Sequence, residues 1–258
     1  KLEIIAFGTH LKDKFGRTVD QIISDGFNVK YCIDNLIHGD QALDIVKSYA
    51  NTVDLFGDFW CEHGSTFDVI ICLGDRFEMA AAVNAGIPFN INFAHLHAGE
   101  TSEGAIDHIY RDQITLASKI HFISLPEFKT RVEEITQKIG TTTTTGAIGL
   151  ENIKSFSLLN SKEFYSKWNI DLNIPSILIT VHPETIDYER NHDYSIELEK
   201  LATHLSIEYQ LVITMPNADT MGTLFRNVLH KTREKRKNIF LVENFGSQSY
   251  FSAMNMCK

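Results

Sequence analysis

The sequence predicts an α/β protein built from two doubly wound domains, and two observations lead to this prediction. Short apolar, β-branched runs alternate with segments of helical apolar spacing along most of the 258 residues. A polar, mixed stretch at 151–173 interrupts this alternation, which then resumes. We therefore expect one domain over residues 1–155 and a second over residues 156–258.

The individual elements follow from the period of the apolar residues. In the first domain, strands are predicted at 2–7, 29–33, 68–73, 89–94, 120–124 and 141–145, and helices at 41–60, 76–85, 105–119 and 126–138. In the second domain, strands are predicted at 177–181, 210–215 and 239–242, and helices at 194–204, 224–235 and 248–256.

The composition limits the classes of partner. The 33 acidic residues outnumber the 24 basic ones, and the net charge of −9 argues against nucleic acid or an anionic membrane surface. No apolar run is long enough to span a bilayer, and no signal-peptide pattern is present. The four cysteines form no CxxC pair and are expected to be reduced, which favours a cytoplasmic protein.

Acidic side chains follow two neighbouring strands of the first domain. Asp75 and Arg76 come after the strand that ends at residue 73, and Glu100 follows the next strand. Asp107 and Arg111 lie four residues apart at the start of the helix that comes next. Ligands of open α/β sheets bind at the carboxyl ends of the strands, so these residues are predicted to share one crevice.

Each of these residues also has a simpler interpretation. Asp75 could cap the following helix, Glu100 could be a solvated loop acid, and Asp107 with Arg111 could form a surface ion pair. Arg76 could hold a phosphate or pair with a nearby acid. The functional alternative is acid–base chemistry, in which neighbouring carboxylates push each other's pKa values apart.

A second set of polar residues follows the strands of the second domain. His182 comes after the first of these strands, and Asn217 and Asp219 come after the next. His182 could donate to a phosphate or be a loop histidine bonded to backbone, while Asn217 and Asp219 could simply form a turn.

Motifs for metals and cofactors are not found in the sequence. His95 and His97 are two residues apart, but no further ligand cluster accompanies them, so we expect no metal site. Dinucleotide, P-loop, serine-hydrolase and zinc-protease motifs are missing, and we expect no cofactor.

Six segments, taken together and in order, resemble the hydrolysing UDP-N-acetylglucosamine 2-epimerase family, in the branch that serves sialic or legionaminic acid synthesis. They are LGDRFE, HLHAGE, AIDHIYRDQITLASKIHF, GAIGLENI, VHPET and PNADTMG. The resemblance implies a GT-B-like fold, with two Rossmann-like domains facing across a cleft. It implies conversion of UDP-GlcNAc to ManNAc and UDP through a 2-acetamidoglucal intermediate. UDP-sugar and UDP are the implied partners, and a homodimer is expected by family analogy.

The resemblance also implies roles for particular residues. Asp75, Glu100 and Asp107 match the acid–base carboxylates of the family, and Arg111 matches its helix arginine. His182 matches the histidine associated with UDP, and His10 of GTH matches a further motif position. Arg76, Asn217 and Asp219 complete the predicted substrate-binding set.

Several alternatives stay open on the sequence. The same chemistry on UDP-2,4-diacetamido-2,4,6-trideoxyglucose would serve legionaminic acid synthesis. A GT-B glycosyltransferase and a non-catalytic sugar-nucleotide-binding fragment are the other two. The family carries a Gly-Ser/Thr-Arg turn and a Gly-Asn-Ser-Ser-Ser-Gly loop that would lie outside residues 1–258, so we expect the chain to be truncated at both ends.

Overall fold

The computed structural model of the chain describes residues 1–155, 157–216 and 221–257, and the predicted α/β class is confirmed there. The strands are β1 Ile4–Phe7, β2 Val29–Ile33, β3 Ile70–Leu73, β4 Phe93–Leu96, β5 Ile120–Ile123, β6 Thr142–Thr144, β7 Ser176–Thr180, β8 Gln210–Thr214 and β9 Ile239–Val242. The α-helices are α1 Val19–Ser24, α2 Ala42–His63, α3 Phe77–Gly86, α4 Asp107–Ala117, α5 Phe128–Thr136, α6 Ile148–Ser155, α7 Ser161–Trp168, α8 Asn191–Leu205, α9 Gly222–Lys235 and α10 Gly246–Met256. Short 3₁₀ helices lie at Gly8–Leu11, Asp13–Phe15, Gly64–Thr66 and Tyr188–Arg190.

The chain divides into two compact units. The central unit is Ile33–Glu151, and the terminal unit combines Lys1–Cys32 with Asn152–Lys258. The mid-chain division lies close to the predicted one, but residues 1–32 group with the C-terminal residues rather than with the first domain. Within the terminal unit, the Arg226 guanidinium lies over the Phe15 ring at 5.9 Å, and Thr18 lines a common cavity with Phe245.

The central unit contains a four-stranded parallel sheet of order β3-β4-β5-β6. Its register pairs Cys72 with His95 and His95 with His121. Because the strands are parallel, the segments that follow β3, β4 and β5 emerge at the same edge of the sheet. This edge collects the residues that come after Leu73, Leu96 and Ile123.

Helix α4 crosses from this edge to the opposite one and ends in buried hydrogen bonds. The Ser118 hydroxyl donates to the Ile114 carbonyl at 2.8 Å. The ring of His121, on the adjacent strand β5, contacts the Thr115 carbonyl at 2.8 Å. These bonds satisfy carbonyl groups that the last turn of a helix otherwise leaves without a partner.

The terminal unit contains a three-stranded parallel sheet of order β7-β8-β9 with helices on both faces. Side chains alternate along a strand, so Leu211 and Ile213 of β8 point to one face and Val212 to the other. The first face packs against α8 and α9 in one apolar cluster. The second packs against α7 and α10 in another. This is the doubly wound arrangement that the alternation of elements predicts.

Several parts of the fold differ from the prediction, including helices α1 and α6, which were not predicted. Strand β4 begins at Phe93 rather than at residue 89, because the turn that starts at Ile87 continues through Asn90, whose φ of 55° is left-handed. The polar, mixed stretch 151–173, predicted to interrupt the alternation of strands and helices, contains α7. Asn160 caps this helix by accepting from the backbone N–H groups of Lys162 and Glu163, at 3.0 and 3.1 Å.

The cysteines are free thiols, and their environments differ. Cys32 and Cys61 are exposed, whereas Cys72 is buried in β3. Burial raises the pKa of the Cys72 thiol to about 12, so it stays protonated and unreactive. In the residues that the structure covers, no helix combines the length and apolar character needed to cross a membrane.

Candidate active site and nucleotide cavity

A buried arginine organises the carboxyl edge of the central sheet. Arg111 is only 6% exposed. Its Nη2 donates to the carboxylate of Asp75, and its Nη1 donates to the His97 carbonyl at 2.8 Å and to Glu100 Oε2 at 3.4 Å. One guanidinium therefore joins the loops after β3 and β4 to helix α4.

Glu100 accepts further hydrogen bonds through its other oxygen. The His97 ring donates from Nδ1 to Oε1 at 2.7 Å, and the Ser124 hydroxyl donates to the same atom. Burial raises the pKa of Glu100, but these two hydrogen bonds and the charges of His97 and Arg111 more than offset it. The pKa of Glu100 is therefore lowered, and the residue is a carboxylate at neutral pH.

The backbone around this cluster is locally strained. His97 has a φ of 65°, in the left-handed region that a residue other than glycine rarely adopts. Two contacts hold it there, since its carbonyl accepts from Arg111 and its ring bonds Glu100. Such strain is found where the surrounding structure over-determines a functional geometry.

Asp75 does not cap helix α3. The residue at the N-cap position is Arg76, and Asp75 pairs with Arg111 instead. Arg76 forms a two-pronged pair with Glu78, at 3.1 Å from both Nε and Nη2, and Glu78 is buried. Of the two alternatives for Arg76, pairing with a nearby acid is the one the structure supports.

Asp107 is the first residue of α4, half-buried, one turn before Arg111. The interpretation of Asp107 and Arg111 as a surface ion pair is wrong, because the Arg111 side chain is buried and forms ion pairs with Asp75 and Glu100. The three predicted carboxylates thus lie on the two loops and the helix that Arg111 connects. The structure brings Asp75 and Glu100 together through their shared contact with Arg111 and places Asp107 at the start of the helix that contains this arginine.

His95 lies beneath this cluster and is fully buried. Its Nε2 contacts the Gly74 carbonyl at 2.7 Å, and its Nδ1 contacts the Thr115 hydroxyl at 3.0 Å. Burial is the main cause that lowers the pKa of His95 to about 4. Because both ring nitrogens are occupied, His95 does not offer a metal ligand. Among the described residues, no group of three or more metal-ligating side chains is found.

The terminal unit contains a cavity of ≈ 640 Å³ at the carboxyl edge of its own sheet. His182 after β7, Met215 after β8 and Glu243 after β9 all line it, together with Ser247 in the first turn of α10. His10 and Thr18 line the same cavity, and the His10 ring contacts the Thr18 hydroxyl at 2.6 Å. The predicted residues His10 and His182 therefore share one cavity. Asn217 and Asp219 lie outside the described residues.

Donor groups and aromatic rings form much of the wall of this cavity. The hydroxyls of Thr180 and Thr214 lie 2.8 Å apart, and Tyr250 contacts Thr180 at 3.1 Å. Trp168 packs edge-on against Phe245, with ring centroids 4.7 Å apart. A volume of this size, with polar donors beside aromatic rings, is typical of small-molecule sites.

Some of these residues were missing from the sequence-based set. His97 and Ser124 bond Glu100, and Glu243 lines the cavity, yet none of the three was predicted as a site residue. All three directly follow an observed strand. The strand-end rule could have found Glu243 from the sequence, whereas Ser124 falls within the predicted strand at 120–124.

Comparison with known proteins identifies the family. The family model described as UDP-N-acetylglucosamine 2-epimerase matches residues 1–258. The chain belongs to this epimerase family. That membership accounts for the order of the six sequence segments, which cover both the Arg111 cluster and the loop that contains His182.

The curated relatives of this epimerase-family chain carry more than one substrate name. A Campylobacter jejuni protein named GDP/UDP-N,N'-diacetylbacillosamine 2-epimerase (hydrolyzing) is 30% identical over 100% of this chain and 66% of its own. Polysialic acid biosynthesis protein P7 of Escherichia coli is 30% identical over 98% and 63%. A Legionella pneumophila protein named UDP-N,N'-diacetylbacillosamine 2-epimerase (hydrolyzing) is 32% identical over 89% and 60%. The chain thus spans slightly less than two thirds of the length of these relatives.

Solved structures share the fold of this chain. UDP-GlcNAc 2-epimerase from Neisseria meningitidis, bound to UDP-GlcNAc, has a TM-score of 0.71 at 16% identity, covering 99% of this chain and 76% of its own. The enzyme from Methanocaldococcus jannaschii, in complex with UDP-GlcNAc and UDP, has a TM-score of 0.71 at 13% identity, with the same coverage. At these identities the likeness shows the fold.

The low pKa of His95 predicts that the protein loses stability in acid. Between pH 6.5 and about 4, an unfolded chain holds a proton on His95 that the folded protein does not. The free energy of unfolding therefore falls as the pH decreases through this window, by about 3 kcal/mol in all. Burial also lowers the pKa of His121, which adds to the loss in the same direction.

Denaturant unfolding of the wild type and of His95→Gln at pH 7 and pH 4.5 measures this effect. Arg111, His97 and His121 are the charged or titratable groups around His95, and the variant leaves them unchanged. The wild type should lose more stability on acidification than His95→Gln. Parallel losses in the two proteins would contradict the assignment to His95.

Proposed function

We propose that the protein is a hydrolysing 2-epimerase of a UDP-activated 2-acetamido sugar. The observation that carries the proposal is the pairing of one buried arginine with Asp75 and Glu100, one turn from Asp107, in a chain of the UDP-N-acetylglucosamine 2-epimerase family. The proposal also includes the substrate, the product and the homodimer that is expected by family analogy.

The reaction has two stages that require acids and bases in fixed positions. First a base removes the proton from C2, the C1–O bond breaks, and its electron pair leaves with UDP, which gives the 2-acetamidoglucal. Water then adds its oxygen to C1, and a proton is delivered to C2 on the opposite face. Removal of a weakly acidic C2 proton needs a carboxylate held within hydrogen-bond reach of it.

The hydrogen bonds around Glu100 favour separate roles for the carboxylates of the cluster. Glu100 has a lowered pKa and accepts bonds from His97, Ser124 and Arg111, so it suits a role as a permanently ionised group. Asp107 is half-buried at the first position of α4, one turn before Arg111. We therefore assign the proton transfers to Asp75 and Asp107, with Glu100 and Arg111 holding the geometry.

We assign nucleotide binding to the cavity of the terminal unit. Phosphate oxygens need N–H, O–H or cationic donors, and the N-terminus of α10, the hydroxyls of Thr180 and Thr214, and His182 and Lys167 supply them. Aromatic side chains such as Trp168 and Phe245 provide flat apolar surface for a base or sugar ring. His10 belongs to the same binding set because it lines the same cavity.

Two substrates have support. UDP-GlcNAc follows from the resemblance and from the family description. N,N'-diacetylbacillosamine, which is a 2,4-diacetamido-2,4,6-trideoxyglucose, appears in the names of the relatives at 30% and 32% identity, whereas a relative named UDP-N-acetylglucosamine 2-epimerase is 24% identical. The second substrate is therefore a full candidate beside the first.

The reaction class predicts a specific isotope label. In D₂O, the full-length protein should release UDP from one of the two UDP-sugars and yield a free sugar with inverted C2 that carries deuterium at C2. Proton NMR of the mixture follows both products. Release of UDP with C2 still protonated would indicate simple hydrolysis, and release only after an acceptor is added would indicate a glycosyltransferase. Either result would overturn the proposal.

Asp107→Asn should lower kcat by roughly 100-fold or more, because removal of a positioned acid–base group usually has this effect. The affinity for UDP should change by no more than about twofold, a difference well below 1.4 kcal/mol. The matched control is Asp112→Asn on the same helix, where Asp112 pairs with Arg131 at 2.7 Å. Equal kcat values for the two variants would remove Asp107 from the chemistry.

His182→Asn should weaken UDP binding by about tenfold, the loss of one good hydrogen bond to a charged group. Isothermal titration with UDP measures it. His204→Asn, in the last turn of α8, is the control, because His204 is not among the described residues that line the cavity. An unchanged dissociation constant for His182→Asn would exclude His182 from nucleotide binding.

A further inference from the structure

We propose that His95 is a positioning residue for the proposed epimerase reaction, and that its ring sets the distance between the Asp75 loop and helix α4. The inference rests on the proposed function for its kinetic consequence. Its structural part concerns only the ion pair between Asp75 and Arg111, whose rigidity can be measured without substrate.

The first contact of His95 holds the peptide that leads into Asp75. The His95 Nε2 lies 2.7 Å from the Gly74 carbonyl, which belongs to the peptide bond between Gly74 and Asp75. The Gly74 N–H donates to the Leu96 carbonyl at 3.1 Å. Gly74 has a φ of 79°, where a side chain is disfavoured. Strand β4 therefore fixes both polar backbone groups of the residue before Asp75.

The second contact of His95 holds the helix that contains Arg111. The His95 Nδ1 lies 3.0 Å from the hydroxyl of Thr115, which is buried in α4. Thr115 follows Arg111 by four residues and therefore lies on the same face of the helix. The imidazole thus connects the same two elements that the Asp75–Arg111 ion pair connects, at a level one helical turn deeper.

The protonation state of the ring follows from its partners. A carbonyl can only accept, so Nε2 carries the hydrogen and donates to Gly74. In the neutral ring Nδ1 is then an acceptor, and the Thr115 hydroxyl donates to it. The low pKa of His95 agrees with a ring that stays neutral. Both contacts are therefore satisfied by one tautomer.

His121 provides a matched control within the same sheet. It pairs with His95 in register on β5 and is also fully buried. Its ring contacts the Thr115 carbonyl at 2.8 Å and the Thr141 hydroxyl at 3.0 Å. His121 is therefore as buried as His95 and makes the same number of side-chain hydrogen bonds. It connects α4 to the segment before β6, whereas His95 connects α4 to the Asp75 loop.

The geometric test is an NMR measurement on the protein labelled with ¹⁵N-arginine. In the wild type, the ion pair with Asp75 should slow rotation of the Arg111 guanidinium, so that its Nη groups give separate signals. The signals that disappear in Arg111→Lys are those of Arg111. His95→Leu should average these signals, while His121→Leu should leave them separate. Separate signals in both leucine variants, or averaged signals in both, would overturn the proposal.

The kinetic test uses the same pair of variants with the UDP-sugar that the wild type accepts. His95→Leu should lower kcat at least tenfold more than His121→Leu for a similar fall in melting temperature, with little change in KM. His95→Gln should recover part of the loss, because its amide N–H can reach the Gly74 carbonyl. Equal kcat losses in the two leucine variants would overturn the positioning role.

Thr115→Val tests the same link if His95→Leu does not fold. This variant removes the hydroxyl that contacts His95 and keeps the carbonyl that contacts His121. A lowered kcat with averaged Arg111 signals supports the proposal, and wild-type values for both overturn it. If the wild type releases no UDP from either sugar, the proposed function fails, whereas the NMR comparison still decides the role of His95.

Discussion

The central unit depends on the burial of one positive charge. Moving a guanidinium out of water costs several kcal/mol unless anions and hydrogen-bond acceptors replace the lost solvent. Asp75, Glu100 and the His97 carbonyl do so for Arg111. Because these groups come from two loops, both loops must meet the helix at the same point. The positions of the carboxylates are therefore a consequence of charge compensation.

The two units place different chemical groups at the same kind of sheet edge. The central unit places carboxylates after its strands, and burial of Arg111 and His95 beneath them fixes their positions. The terminal unit places hydroxyls, a histidine and a helix N-terminus around a cavity. Acids suit proton transfer on a sugar, while neutral and cationic donors suit a diphosphate. Parallel strands serve both cases, because their carboxyl ends present several successive loops to one side.

The sequence predicts most of the strands and the edge at which the site lies, but it does not predict which side chains pair. Apolar period and strand order place Asp75 and Glu100 on neighbouring loops, which the structure bears out. The spacing of Asp107 and Arg111 shows only that they share a helix face. Whether that face is buried depends on tertiary packing. Similarly, the sequence around Arg76 does not show whether its guanidinium holds a phosphate or pairs with Glu78.

The way helix α4 ends has a consequence for motion. Its last turn is held by Ser118 and by the ring of His121, both in buried contacts. Its first residue is Asp107, which lies one turn before the buried Arg111. Transient opening of a helix proceeds from the end with the fewest buried contacts. We therefore expect fluctuations of α4 to begin in the turn that precedes the buried Arg111.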